Sequence, residues 1–258
     1  MKRICEIMTI LALTAVFPAC MPEVETLPGS RYVKADTVHH LHVFYPVYES
    51  IDFIVGQPPE PHDTNVVFCC AAAFTDSMVW ASEHADVVGP YAVDGQYFQT
   101  VSSHTSTGCF VCCQKEWAFA SDSVEQKLRE FAGKGGSGFS QMSLVPNKIP
   151  AAHRDVVFNL LGLRCYETAD STLKVRFLRH RYRALCAKNR SLCIVESISP
   201  CTFAEFQSNL EQCQFDHAIY LDVGFGWSYA WYRLDDGSVR YLHSMPYPRS
   251  SNWIVFRK

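Results

Sequence analysis

Apolar residues in this chain come mainly in runs of five to seven, broken by glycine, proline, asparagine and aspartate. Runs that short suit strands better than helices, which need longer stretches with a 3.6-residue period. VVFCCAAAF (66–74) is apolar throughout and predicts a central strand covered on both faces. TVHHLHVFYPVY (37–48) and IDFIV (51–55) predict further extended segments, and QPPEPHDTN (57–65) a loop. Residues 76–107 are polar and glycine-containing, which predicts long loops near a surface site. GCFVCCQKEWAFA (108–120) reads as a hairpin, FSQMSLVPNKIP (139–150) as a strand and turn, and HAIYLDV (217–223) and NWIVFRK (252–258) as strands. Two more hairpins are predicted, one turning at Lys188-Asn189-Arg190 and one at Asp236-Gly237.

Helical patterning is confined to two segments. SVEQKLREFA (123–132) has Asp122 or Ser123 as its cap and Gly133 as its stop, and FAEFQSNLEQC (203–213) follows a Thr202/Glu205 capping box. The expected fold is α+β: mainly antiparallel sheet with a few packed helices, in a single domain spanning 37–258. Its length of 258 residues, 48% of them hydrophobic, is enough for a substantial core. A net charge of −3 gives no electrostatic reason to expect nucleic acid as a partner.

The N-terminus follows a different pattern. Lys2 and Arg3 precede an apolar run from Ile7 to Phe17, then Pro18-Ala19-Cys20. This predicts an export signal over 1–20, with Cys20 as the lipidated first residue of the mature chain and 21–36 as a tether. An ordinary signal peptide or a buried N-terminal helix is the alternative. Under the first reading the chain is exported, to the periplasm or outer membrane, and meets the membrane through a lipid anchor. No other stretch is long and apolar enough to span a bilayer. Most of the remaining cysteines lie inside apolar runs, where unpaired thiols behave as small hydrophobes.

Several motifs lose force in context. GKGGSG (133–138) follows a helix and precedes a strand, the reverse of a dinucleotide fingerprint, and reads as a flexible loop. Cys109 and Cys113 would share a strand face with Cys112 opposite, a poor arrangement for zinc. His40 and His42 would share a face in an extended segment, where a solvated face is the plainer reading than a metal site. No metal and no cofactor is expected.

Two features keep chemical interest. Strand alternation in HAIYLDV delivers Asp222 to a strand end just before Gly224 and Gly226, so it either caps a turn or is presented to a ligand. Arg179, Arg181 and Arg183 would share one face of an extended segment, either as a solvated basic face or as an anion-recognising one. Glu196 ends the partner strand of the hairpin that Arg183 begins, so unlike charges meet at strand ends.

From RALCAKNR onward these residues resemble the phosphodiester glycosidase family, which includes the lysosomal mannose 6-phosphate uncovering enzyme and many exported bacterial proteins. Arg183-Ala184, Glu196-Ser197, Leu221-Asp222-Val223-Gly224, Arg249 and Asn252 follow that family's order of motifs. The likeness covers about residues 65–258 and is similar to short exported lipoproteins of Bacteroidetes type. It implies removal of a sugar from a glycosyl phosphodiester. Asp222 would stabilise the oxocarbenium-like centre or activate water, with Glu196 as second acid or base and Arg183 holding phosphate charge. Thr75, Gly224, Ser228, Arg249 and Asn252 would contact substrate, and Tyr229, Trp227 and Trp231 would stack on a sugar or fill the core. Departures are clear: Ala71-Ala72-Ala73 stands where the family has Asn-Gly-Gly, Glu-Ser replaces Asp-Gly, and Val223 displaces a glycine. They leave open a non-catalytic glycan- or phosphoglycan-binding surface lipoprotein on the same fold.

Overall fold

The computed structural model describes residues 27–75, 87–100, 106–146, 163–167, 173–177, 179–223, 229–243 and 250–258. In chain order its strands are β1 (Val33–Val38), β2 (Leu41–Pro46), β3 (Ser50–Val55), β4 (Val66–Ala71), β5 (Tyr91–Val93), β6 (Gln96–Phe98), β7 (Gly108–Cys113), β8 (Glu116–Ala120), β9 (Ser137–Gln141), β10 (Ser143–Val145), β11 (Leu163–Glu167), β12 (Leu173–Phe177), β13 (Arg183–Lys188), β14 (Ser191–Ser197), β15 (His217–Leu221), β16 (Ala230–Arg233), β17 (Val239–Tyr241) and β18 (Asn252–Arg257). Two helices are described, α1 (Val124–Ala132) and α2 (Phe203–Gln212). The protein is α+β, mainly antiparallel sheet in a single domain.

A six-stranded sheet runs β1-β2-β14-β13-β15-β10, and two five-stranded sheets run β17-β16-β4-β18-β3 and β6-β5-β9-β7-β8; β11 and β12 pair separately. The three larger sheets share one core. Phe44, Ile194 and Leu221 from the first meet Phe68 and Ile254 from the second and Phe110 and Phe139 from the third. Each such side chain contributes roughly 1.5–3 kcal/mol on burial. The far face of the first sheet is covered by Phe203, Phe206 and Leu210 of α2. Leu128 and Phe131 of α1 cover the far face of the third.

β4 is central and buried at all six positions, as its unbroken apolar run predicts. α2 carries the expected capping box between Thr202 and Glu205. Asn189 and Arg190, both at positive φ, make the tight turn between β13 and β14. The nine cysteines whose side chains are described are unpaired thiols, eight of them buried. Cys109 and Cys113 lie on the α1 side of β7, with Cys112 on the core side.

Five expectations are corrected. The stretch read as a tether through Asp36 already forms β1 from Val33, which is fully buried. The segment 37–48 is not continuous: His39 and His40 form a two-residue turn at φ 45° and 60°, so His40 does not share a strand face with His42. Within 76–107, β5 and β6 form a hairpin around Asp94-Gly95, whose positive φ values fit that pair. Ser123 occupies the N-cap of α1 at φ 59°, but its side chain makes no capping bond. GKGGSG is no flexible loop. A Cβ on Gly138 would stand 2.5 Å from the Phe110 carbonyl oxygen, and one on Gly136 2.5 Å from that of Cys112. These glycines let β9 and its lead-in pack directly on β7.

Candidate functional site

The site is built on the register of the six-stranded sheet. Arg183, at the start of β13, is paired with Glu196 on β14 and with Leu221 on β15. Glu196 is in turn paired with His42 on β2. Directly paired residues project to the same face, so His42, Glu196, Arg183 and Leu221 form a row across four strands. Asp222 follows Leu221 just past the end of β15, and alternation puts it on the Tyr220 face, opposite to the row.

Arg183 is fully buried and Glu196 is 2% exposed. Nε and Nη2 of Arg183 both donate to Oε2 of Glu196, at 2.9 and 2.6 Å. The other carboxylate oxygen, Oε1, lies 2.7 Å from His243 Nε2 and 3.8 Å from Arg181 Nη1. Burial alone would raise the Glu196 carboxyl, but Arg183 and the His243 hydrogen bond outweigh it and hold it down to about 2. Glu196 is therefore ionised at neutral pH, and both of its oxygens are engaged. That leaves it no proton to donate, and it serves as the anchor around which the cations are arranged. Cys70 of β4, buried in the shared core, feels both charges. Burial pushes its thiol up to about 12, with opposing influences from Arg183 and Glu196.

Asp222 is 2% exposed, and its backbone N–H donates to the Ala72 carbonyl at 2.9 Å. Burial drives the Tyr220 phenol well above its usual range; Asp222 adds to that rise and Arg183 opposes it. Asp222 and Arg183 thus act in opposite directions on the Tyr220 phenol.

On the neighbouring sheet Asn252 is fully buried. Its Oδ1 accepts from the Ala73 N–H at 2.7 Å, and its Nδ2 donates to the Ala73 carbonyl at 3.2 Å. Thr75 Oγ1 accepts from the Ser251 N–H at 3.1 Å. These two residues fix the chain after β4 to the start of β18. Tyr229 packs edge-on against Trp253 and Tyr241 and is 6% exposed, while Trp231 is fully buried. Both therefore belong to the core, one of the two roles the sequence left open for the aromatics here.

The structure joins Arg183 to Glu196, holds the Asp222 backbone against Ala72, and places Thr75 and Asn252 on the adjoining sheet. Arg179 goes elsewhere, to the Pro200 carbonyl and Glu205 at the start of α2. Cys20, Gly224, Trp227, Ser228 and Arg249 lie outside the described residues. His243 was not foreseen. It follows a short outer strand with no motif around it, and only the pairing of sheets brings it to Glu196. Among the described residues no group of three His, Cys, Asp or Glu side chains is placed to hold a metal ion. Among the described residues, a cavity of about 610 Å³ at the start of α1 and one of about 280 Å³ between Cys109, Phe119 and His217 lie away from the row.

No family model matches the chain. No curated protein matches it either. Among solved structures it is similar to the catalytic domain of zebrafish N-acetylglucosamine-1-phosphodiester alpha-N-acetylglucosaminidase, auto-inhibited by its pro-peptide. That alignment has a TM-score of 0.49 and 10% identity, over 88% of this chain and 81% of that one. It is also similar to a hypothetical protein from Synechocystis, with a TM-score of 0.44 and 12% identity, over 88% of this chain and 61% of the other. At these values neither similarity carries an assignment of function.

Proposed function

We propose that this protein is a hydrolase that removes a sugar from a glycosyl phosphodiester. The observation that supports the reading is the buried Arg183–Glu196 ion pair, with Asp222 directly following Leu221, the residue that Arg183 meets on β15. The motif order that resembles phosphodiester glycosidases points to the same residues. In this reading Asp222 is the carboxylate that stabilises the oxocarbenium-like centre or activates water. Arg183 supplies positive charge toward the phosphate, and Glu196 fixes that charge in place. Thr75 and Asn252 set the backbone of the adjoining wall. Gly224, Ser228 and Arg249 complete the proposed substrate contacts, while Tyr229 packs in the core. The protein is exported and tethered by a lipid on Cys20, as in the short exported branch that its sequence resembles.

A specific observation favours a second reading, a binder of glycan or phosphoglycan without turnover. Glu196 has no proton to give at neutral pH, and Ala71-Ala72-Ala73 replaces a polar side chain and two glycines of the family pattern. Hydrolysis of a panel of α-sugar-1-phosphodiesters separates the two. Turnover that is lost in folded Asp222→Asn and Arg183→Ala supports the hydrolase. Binding without turnover, weakened by Arg183→Ala, supports the binder. Palmitate labelling that survives Cys20→Ser would refute the anchor.

A further inference from the structure

We infer that Arg181 and His243 form an anion-binding edge to this site and contact the phosphate group directly, while Arg183 positions them from within. The choice of a phosphate ligand rests on the phosphodiester reading; the cationic edge itself rests on geometry.

Arg183 is fully buried and turns two of its nitrogens onto a single carboxylate oxygen. A guanidinium held that way is poorly placed to meet a solvated anion arriving from outside. The outward side of the cluster is different. Around Oε1 of Glu196 stand two cationic or protonatable groups that reach solvent. The Arg181 side chain is 42% exposed and that of His243 19%. Among the described residues Arg181 makes only its 3.8 Å ion pair with Glu196, too long for a hydrogen bond, so its planar set of donors remains available. His243 meets Glu196 through Nε2 alone, which leaves Nδ1 on the far edge of the ring. One carboxylate therefore orients two groups whose remaining polar edges face away from it. Guanidinium forks match phosphate oxygens in geometry, and a guanidinium is more weakly hydrated than an ammonium, so it gives up water to phosphate at lower cost.

Two neighbours limit the alternatives. Arg179 is engaged with Glu205 and the Pro200 carbonyl, so the edge is not a general basic face. His42 lies on the other side of Glu196 and is buried, with Nδ1 3.4 Å from the Thr37 hydroxyl. It belongs to the inner part of the row.

The test is titration of the protein with inorganic phosphate, followed by calorimetry or ³¹P line broadening, beside Arg181→Gln, Arg181→Lys, His243→Gln and the control Arg179→Gln. Far-ultraviolet circular dichroism checks that each variant is folded. Arg181→Gln and His243→Gln are each expected to weaken binding at least fivefold. Arg181→Lys should recover part of that loss, and Arg179→Gln should bind as wild type. Failure of the wild type to bind phosphate, or equal affinity in Arg181→Gln, overturns the inference. The diester assay separates the two proposals. Phosphate binding through Arg181 without diester cleavage preserves this inference and sinks the hydrolase. Cleavage with an unchanged KM in Arg181→Gln does the reverse.

Discussion

Glu196 is a test of the electrostatics on which the site depends. Its carboxyl is held at about 2 against an ordinary 4.5, despite burial that would raise it. At about 1.4 kcal/mol per pH unit, a depression of that size corresponds to about 3 kcal/mol of folding stability. The sign follows from the direction of the shift. A depressed folded-state pKa stabilises the protein above the unfolded value, and that contribution is lost as pH falls from 4.5 towards 2. Glu196→Gln removes the titrating group and strands the buried Arg183, at a cost of about 3–5 kcal/mol at neutral pH. Urea unfolding of both proteins, followed by tryptophan fluorescence from pH 7 to pH 2, gives their stability difference at each pH. Other depressed carboxylates such as Asp63 and Glu205 titrate in both proteins and cancel. The gap should be constant above pH 5 and shrink by about 3 kcal/mol by pH 2. A gap that does not change with pH would refute the account of Glu196 as an anchored, ionised group.

Three further outcomes follow from the same geometry. The double variant Arg183→Met/Glu196→Leu should be far more stable than either single change, because it removes both buried charges together, and chemical denaturation would show it. Gly138→Ala should lower stability by about 1–3 kcal/mol, since its Cβ would meet the Phe110 and Val111 backbone at 2.5 and 2.8 Å; Gly133→Ala, with neighbours no nearer than 3.5 Å, should stay close to wild type in thermal melts. Arg233 is buried and donates to the carbonyls of Val66, Gly237, Pro61 and Asp63. Arg233→Lys should therefore cost several kcal/mol in urea titration despite keeping the charge, on the order of 3, because one ammonium cannot reproduce four directed bonds.

Much of the fold was legible in local pattern. β4 announced itself by an unbroken apolar run, α2 by Thr202 and Glu205, and the β13–β14 hairpin by Asn189 between apolar runs. The misreadings came where backbone conformation, not side-chain type, decided the outcome. His39 and His40 turn at positive φ, where glycine or asparagine is the usual signal. Gly136 and Gly138 are required for close strand packing, which in sequence looks the same as a loose glycine-rich loop. The site shows a similar division. Arg183, Glu196 and Asp222 could be placed at strand ends because alternation and hairpin register are local properties. His243 could not, because its approach to Glu196 depends on how two sheets meet, forty-seven residues apart in sequence.

The three alanines at the end of β4 show how main-chain groups alone can hold this frame. Ala71, Ala72 and Ala73 are fully buried. The Ala72 N–H donates to the Asn252 carbonyl at 3.3 Å, and the Ala72 carbonyl accepts from the Asp222 N–H at 2.9 Å. One residue of main chain therefore ties the end of β15 to the start of β18. Ala73 adds two bonds to the Asn252 side chain. The positions of Asp222 and Asn252 are thus set by peptide groups, which any residue supplies. The side chains here need only be small enough for the sheets to close, since overpacking costs about 1–3 kcal/mol. Alanine meets that demand without offering a polar group. Hydrogen bonds along this wall therefore come from the backbone or from neighbouring strands, not from the alanine side chains.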